Sequence, residues 1–127
     1  MKVKEIMNKV IVAEDSISIG EAARIMSEKG IGSLVLINKK SISGIVTERD
    51  VLKAAAQRML GSSVKSIMAK KVYTISKDDS LDEAASIMKA KKIKRLPVID
   101  DGKLLGIITA TDLIANSDEL NEEFLLD

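Results

Sequence analysis

At 127 residues, 46% hydrophobic and 31% charged, the chain has the balance of one compact globular unit with a sizeable core and not of a disordered polymer. It has no Cys and no His, which excludes disulfides, thiolate chemistry and Cys/His metal sites and removes the commonest general base. The net charge of +1 conceals an acidic end. Residues 118–127 hold Asp118, Glu119, Glu122, Glu123 and Asp127 without a Lys or Arg, leaving residues 1–117 with 20 basic against 14 acidic side chains, or +6.

Tyr73 and Phe124 are the only aromatic residues, so the core must be aliphatic. No run of about 18 apolar residues and no basic-then-apolar start is present, so neither a membrane helix nor a signal peptide is expected, and the expected location is the cytoplasm. In chain order, the lead-in VKEIM at 3–7 is followed by a β-branched stretch at 10–13 that suggests a strand. Ser18 and Glu21 have the spacing of a capping box, and Ile19, Ala22, Ala23 and Met26 then recur on one helical face up to Gly30. Strands are expected at 33–37 and 42–46, and Thr47 opens a helix from 48 to about 59.

The series then begins again. VKSIM at 64–68 repeats VKEIM at an offset of 61, and SLDEAASIM (80–88) repeats SIGEAARIM (18–26) at an offset of 62. At the later offset GIITATDLI (106–114) also repeats GIVTERDVL (44–52). A strand is expected at 72–75, a capping box at Ser80 and Glu83, and a helix with Leu81, Ala84, Ala85 and Met88 on one face. Strands at 96–99 and 104–108 flank the turn DDGK (100–103), and a short helix at 110–115 follows Thr109.

The unit is β-α-β-β-α, written twice, at 3–60 and 61–117, with the acidic tail at 118–127. The expected class is α/β (α+β). One unit of roughly 55 residues would leave an apolar face exposed, so two should pack sheet to sheet about a pseudo-twofold axis. Such a junction creates paired clefts, and clefts between structural units favour ligands. In the tail, Phe124, Leu125 and Leu126 suit docking on the body or on a second chain, and the charge suits a disordered end.

Thr47 with Asp50, and Thr109 with Asp112, stand at strand-to-helix junctions. The plain reading is helix capping: Thr accepts a free backbone N–H and Asp complements the dipole. The same geometry offers N–H groups to a phosphate and a carboxylate to ribose hydroxyls, and the two uses can coexist. KAKKIKR at 89–95 adds five charges. Lys89, Lys91 and Lys92 read as a solvated helix end, whereas Lys94 and Arg95 open a strand directed at the same junction. The first copy has Gly32 and Ser33 there and carries Arg49 where the second has Thr111, so the two half-sites are chemically unequal.

Direct nucleic-acid binding is disfavoured by a charge of only +6, the lack of aromatic platforms and the absence of a helix-turn-helix or zinc pattern. No phosphate loop or Gly-x-Gly-x-x-Gly fingerprint occurs. A carboxylate–Mg²⁺ hydrolase would need acids near the phosphates, where Lys94, Arg95 and Arg49 stand instead, so an enzyme is not expected and no cofactor is required.

Two copies of IMxxxV, EAAxIM, IxxLPVID and GIITxxDL, in this order and covering residues 3 to about 117, resemble the tandem cystathionine-β-synthase (CBS) domain, the Bateman module. The resemblance implies a regulatory module that holds adenosine-containing ligands, of the AMP, ADP, ATP or S-adenosylmethionine type, in clefts between the repeats. It implies that Asp50 and Asp112 bind ribose hydroxyls, that Thr47 and Thr109 contact ribose or phosphate, and that Arg49 or Thr111 points at the phosphates. Adenine would lie against the strand opening a repeat. That pairs Thr47 and Asp50 with Val72 and Tyr73, and Thr109 and Asp112 with Val10 and Ile11. Val12, Ser33, Thr74 and Pro97 complete the implied ligand-binding set. Lys94 matches the family's basic phosphate position, with Arg95 beside it. Gly32 departs from that pattern, as does Val35 where the second copy keeps Pro97, so strong phosphate holding is expected from the second copy only. The resemblance also implies a homodimer and an effector protein that reads the ligand state. The rival reading is a ligand-independent dimerisation and scaffolding module for a partner enzyme or transporter.

Overall fold

A computed structural model of the protein describes residues 1–116, and the acidic tail lies outside them. The elements are β1 (Val12–Glu14), α1 (Ile19–Lys29), β2 (Ser33–Asn38), β3 (Ser41–Thr47), α2 (Glu48–Ala56), β4 (Ile75–Ser76), α3 (Leu81–Lys91), β5 (Arg95–Asp100), β6 (Lys103–Thr109) and α4 (Ala110–Asn116). Short 3₁₀ turns at Val3–Glu5 and Val64–Ser66 precede each series. The class is mixed α/β, with two sheets in the orders β1-β2-β3 and β4-β5-β6. Each sheet has one parallel pair followed by an antiparallel hairpin.

The opening strands fall later than the expected 10–13 and 72–75. A β-branched stretch becomes a strand only where a neighbour meets its hydrogen bonds, and pairing with β2 begins at Val12↔Val35. Pairing with β5 begins one position later, at Ile75↔Val98. The counterpart of Val35 is Pro97, which has no N–H to give the ladder, so β4 is a residue shorter than β1.

Helices α1, α2 and α3 end in left-handed turns. Gly30 (φ 63°) closes α1, with Ile31 N–H returning to Met26 O at 3.0 Å. Lys92 (φ 56°) closes α3, with Ile93 N–H returning to Met88 O at 3.0 Å. Helix α2 stops at Ala56, short of the expected 59, because Arg58 turns left-handed (φ 60°) and Met59 N–H returns to Ala54 O at 2.9 Å. Only half of each expected Ser-x-x-Glu box forms. Ser18 and Ser80 accept the N–H of Glu21 and Glu83 at 3.0 and 3.1 Å. The Glu21 carboxylate turns to Arg24, lowering its pKa, while Glu83 meets Asp79, which raises its own.

Two compact units emerge, and they are a different division of the chain from the sequence repeats. One is Ile11–Val72, the other Met1–Val10 together with the chain from Tyr73 to the end of α4. Each lead-in is exchanged. Val64, fully buried, joins Leu34, Leu36 and Val46 in the core of the first unit. Val3, fully buried, joins Leu96, Val98 and Ile108 in the core of the second. Met26 and Met88 occupy matching core positions, as expected.

The exchange explains the repeated Gly of GIVT and GIIT. In the first unit Ile45 and Ala69 exchange both backbone hydrogen bonds (3.0 and 2.9 Å), and in the second Ile107 and Asn8 do so (3.0 and 2.8 Å). The lead-in therefore crosses the last strand at its Gly. A Cβ on Gly44 would stand 2.6 Å from Met68 Sδ and 3.0 Å from Ala69 O, and one on Gly106 would stand 2.6 Å from Asn8 O.

Candidate functional site

Thr47 and Asp50 begin α2 as a complete capping box. Asp50 Oδ2 accepts Thr47 N–H at 2.9 Å and the Thr47 hydroxyl at 3.0 Å, while Thr47 Oγ1 accepts Asp50 N–H at 3.4 Å. Thr109 and Asp112 repeat the arrangement at the start of α4, with the corresponding distances 2.9, 2.9 and 3.2 Å. Capping thus engages one carboxylate oxygen of each Asp. Within each unit, and among the described residues, Oδ1 accepts no hydrogen bond, and a carboxylate oxygen can accept from hydroxyl donors. Both aspartates are half-buried.

The strand register brings the predicted neighbours to these turns. In the first unit Ser33 pairs with Thr47, and Glu48 N–H donates to Gly32 O at 3.0 Å. In the second, Arg95 pairs with Thr109, and Ala110 N–H donates to Lys94 O at 2.8 Å. The backbone of Gly32–Ser33 or Lys94–Arg95 therefore lies directly beside its Thr-x-x-Asp turn. Lys94 is exposed and Arg95 half-buried, so two cations flank the Asp112 corner and none comes from that strand at the Asp50 corner. Arg49 and Thr111 are both exposed at the second helical position of α2 and α4.

The remaining predicted residues distribute unevenly. Val72 shares a unit with Thr47 and Asp50, and Val10 shares one with Thr109 and Asp112, whereas Tyr73 and Ile11 belong to the opposite units from the aspartates assigned to them. Tyr73 carries the Lys91 ammonium 5.1 Å from its ring centroid, a cation–π contact. Val12 stands exposed on β1, and Thr74 is half-buried just before β4. Pro97 and Val35 are fully buried core residues of β5 and β2.

One further residue stands at the candidate site without a motif to mark it. Asn8 Nδ2 donates to Asp112 Oδ2 at 2.7 Å across 104 residues of chain. Its only sequence signal is the position after VKEIM, which holds Ala69 after VKSIM. Among the described residues no group of three or more acids could hold a metal ion, and no helix is long and apolar enough to cross a membrane.

Comparison with known proteins identifies the family. The CBS domain family model matches twice, at 3–57 and 64–119. An uncharacterized 17.7 kDa protein of Acidianus ambivalens is 40% identical over 107 residues, covering 83% of this chain and 65% of that one. The inosine-5′-monophosphate dehydrogenase of Korarchaeum cryptofilum is 39% identical over 109 residues, covering 85% of this chain but 22% of the enzyme. This chain thus spans about two thirds or less of the length of these relatives. The crystal structure of the CBS domain pair of protein MJ0100, in complex with 5′-methylthioadenosine and S-adenosyl-L-methionine, superposes with a TM-score of 0.84 at 34% identity, covering 91% of this chain and 94% of that one. With two family matches, two β-α-β-β-α series and two Thr-x-x-Asp corners, the chain belongs to the CBS domain family and carries a tandem pair.

Proposed function

We propose that the protein is a non-enzymatic regulatory module that binds adenosine-containing ligands, with Asp50 and Asp112 accepting ribose hydroxyls. The observation that carries this reading is the pair of carboxylates whose Oδ2 is held by the capping turn while Oδ1 takes no hydrogen bond from the described residues of its own unit. It is supported by the 34% identity to a pair crystallised with 5′-methylthioadenosine and S-adenosyl-L-methionine. Lys94 and Arg95 would hold the anionic end of a nucleotide at the Asp112 corner, and Arg49 would serve the Asp50 corner alone. Val10, Ile11, Val72 and Tyr73 would flank the adenine. Ligand binding would bias how the halves, or two chains of a homodimer, sit together, and an effector protein would read the change.

Thermal shift with AMP, ADP, ATP, S-adenosylmethionine and 5′-methylthioadenosine tests the reading. A ligand at about 100 times its Kd should add roughly 2.7 kcal/mol of stability, and Asp50→Ala and Asp112→Ala should each weaken binding. No shift with any of the five sinks it. Mass spectrometry of small molecules that copurify would name the ligand.

A second reading, a ligand-independent dimerisation module, draws on one observation. Helices α1 and α2 border an apolar groove of about 540 Å³ lined by Ala23, Met26, Ile31 and Val51, with Leu52 72% exposed at its edge. If Leu52→Glu dissociates the protein by analytical ultracentrifugation while none of the five ligands shifts its melting, this second reading replaces the first.

A further inference from the structure

The two carboxylates are held unequally, and the inequality originates outside the turn. Within its unit, and among the described residues, Asp50 Oδ2 accepts two hydrogen bonds, both from Thr47. Asp112 Oδ2 accepts the same two from Thr109 and a third from Asn8 Nδ2, which at 2.7 Å is the shortest of the set. Asn8 is itself fixed by the two backbone hydrogen bonds it exchanges with Ile107. Ala69 exchanges the same two with Ile45, the residue equivalent to Ile107, but has no side chain able to donate. The backbone frame for a third donor therefore exists in both units, and only one is equipped.

We infer that Asn8 is a positioning residue that makes the Asp112 corner the stronger nucleoside site and links its occupancy to the 1–10 segment; this rests on the ribose-binding reading above. A carboxylate held by three donors presents Oδ1 in one orientation, so less side-chain freedom is lost when hydroxyls arrive. The donor comes from a segment separated from Asp112 in sequence, so linkage is reciprocal. If docking of the segment strengthens the ligand, the ligand must strengthen docking.

The probe is 5′-methylthioadenosine, which carries the ribose without a phosphate and so removes the unequal cations from the comparison. Calorimetric titration is run on Asp50→Ala, which retains the Asp112 corner, and on Asp112→Ala, which retains the other. The Asp50→Ala protein should bind more tightly. Adding Asn8→Ala to it should weaken binding about three- to ten-fold, the worth of one net hydrogen bond, and leave the Asp112→Ala protein unchanged. Adding Ala69→Asn to Asp112→Ala should tighten binding by a similar factor, a gain that mere damage to the fold would not produce. In the wild type, ligand should slow hydrogen exchange of the Asn8 amide. Equal effects of Asn8→Ala in both backgrounds, or none in Asp50→Ala, overturn the inference while leaving the ribose reading intact. Wild-type protein that binds none of the five adenosyl ligands overturns both.

Discussion

The two units share one scaffold but place their difficult backbone positions in opposite elements. In the unit 11–72, helix α1 ends on Gly30, which adopts φ 63° without strain, while the β2–β3 hairpin turns through Lys39 and Lys40 at φ 50° and 68°. In the other unit the hairpin turns through Asp101 and Gly102 at 49° and 78°, while helix α3 ends on Lys92 at 56°. Both hairpins have the paired positive φ of a two-residue turn, for which Asp-Gly is suited and Lys-Lys is not. Each unit therefore carries strain that its counterpart avoids. The architecture is set by the hydrogen-bonded frame, and side chains tolerate left-handed backbone where the frame demands it.

The largest effect should come from the crossing glycines. Gly106→Ala and Gly44→Ala should each lose about 1–3 kcal/mol of unfolding free energy in urea. Gly106→Ala should be the more severe, because its new methyl meets the Asn8 carbonyl at 2.6 Å, whereas the nearest neighbour of Gly44 is the flexible Met68 thioether. Equal losses would mean that the Ala69 carbonyl, 3.0 Å away, dominates at Gly44.

Next come the left-handed lysines. Lys40→Gly and Lys92→Gly should each stabilise by roughly 0.5–1 kcal/mol, the relief of left-handed strain less the extra freedom that glycine adds to the unfolded chain. Gly102→Lys and Gly30→Lys should lose a similar amount. Thermal or urea denaturation of the four variants checks whether strain really alternates between the units.

The smallest effect is in pH. Glu21 is held below the ordinary carboxylate range mainly by its hydrogen bond from Arg24, so its stabilisation is present above that range and is lost as pH falls through its folded value. Glu83 is raised mainly by its hydrogen bond with Asp79, so the folded state favours its proton, and that stabilisation is lost as pH rises through the folded value. Comparing the stability of Glu21→Gln and Glu83→Gln with wild type between about pH 3 and pH 6 should give difference curves of opposite slope. Curves of the same sign would dissolve this contrast between α1 and α3.

Much of the geometry of the candidate site is legible in the sequence because it is local. Thr47 with Asp50 and Thr109 with Asp112 cap their helices three residues apart, and Gly32–Ser33 and Lys94–Arg95 reach them through hairpins whose register follows from alternation and turn length. The bounds of the opening strands are not legible in the sequence because strand extent depends on a partner, and Pro97 in that partner, β5, trims β4 from a position more than twenty residues away. The contact of Asn8 is not legible there, because it spans 104 residues.

The sequence by itself determined the repeat, the order of elements within it, the caps and the chemical inequality between Arg49 with Gly32 on one side and Thr111 with Lys94 on the other, since these rest on propensity, periodicity and short-range hydrogen bonds. Only the tertiary structure decided that VKEIM completes the core of the later series and VKSIM that of the earlier one. The two lead-ins are nearly identical in pattern, so local energetics cannot assign either to a unit. The assignment lies in long-range burial of Val3 and Val64 and in backbone pairing at Asn8 and Ala69.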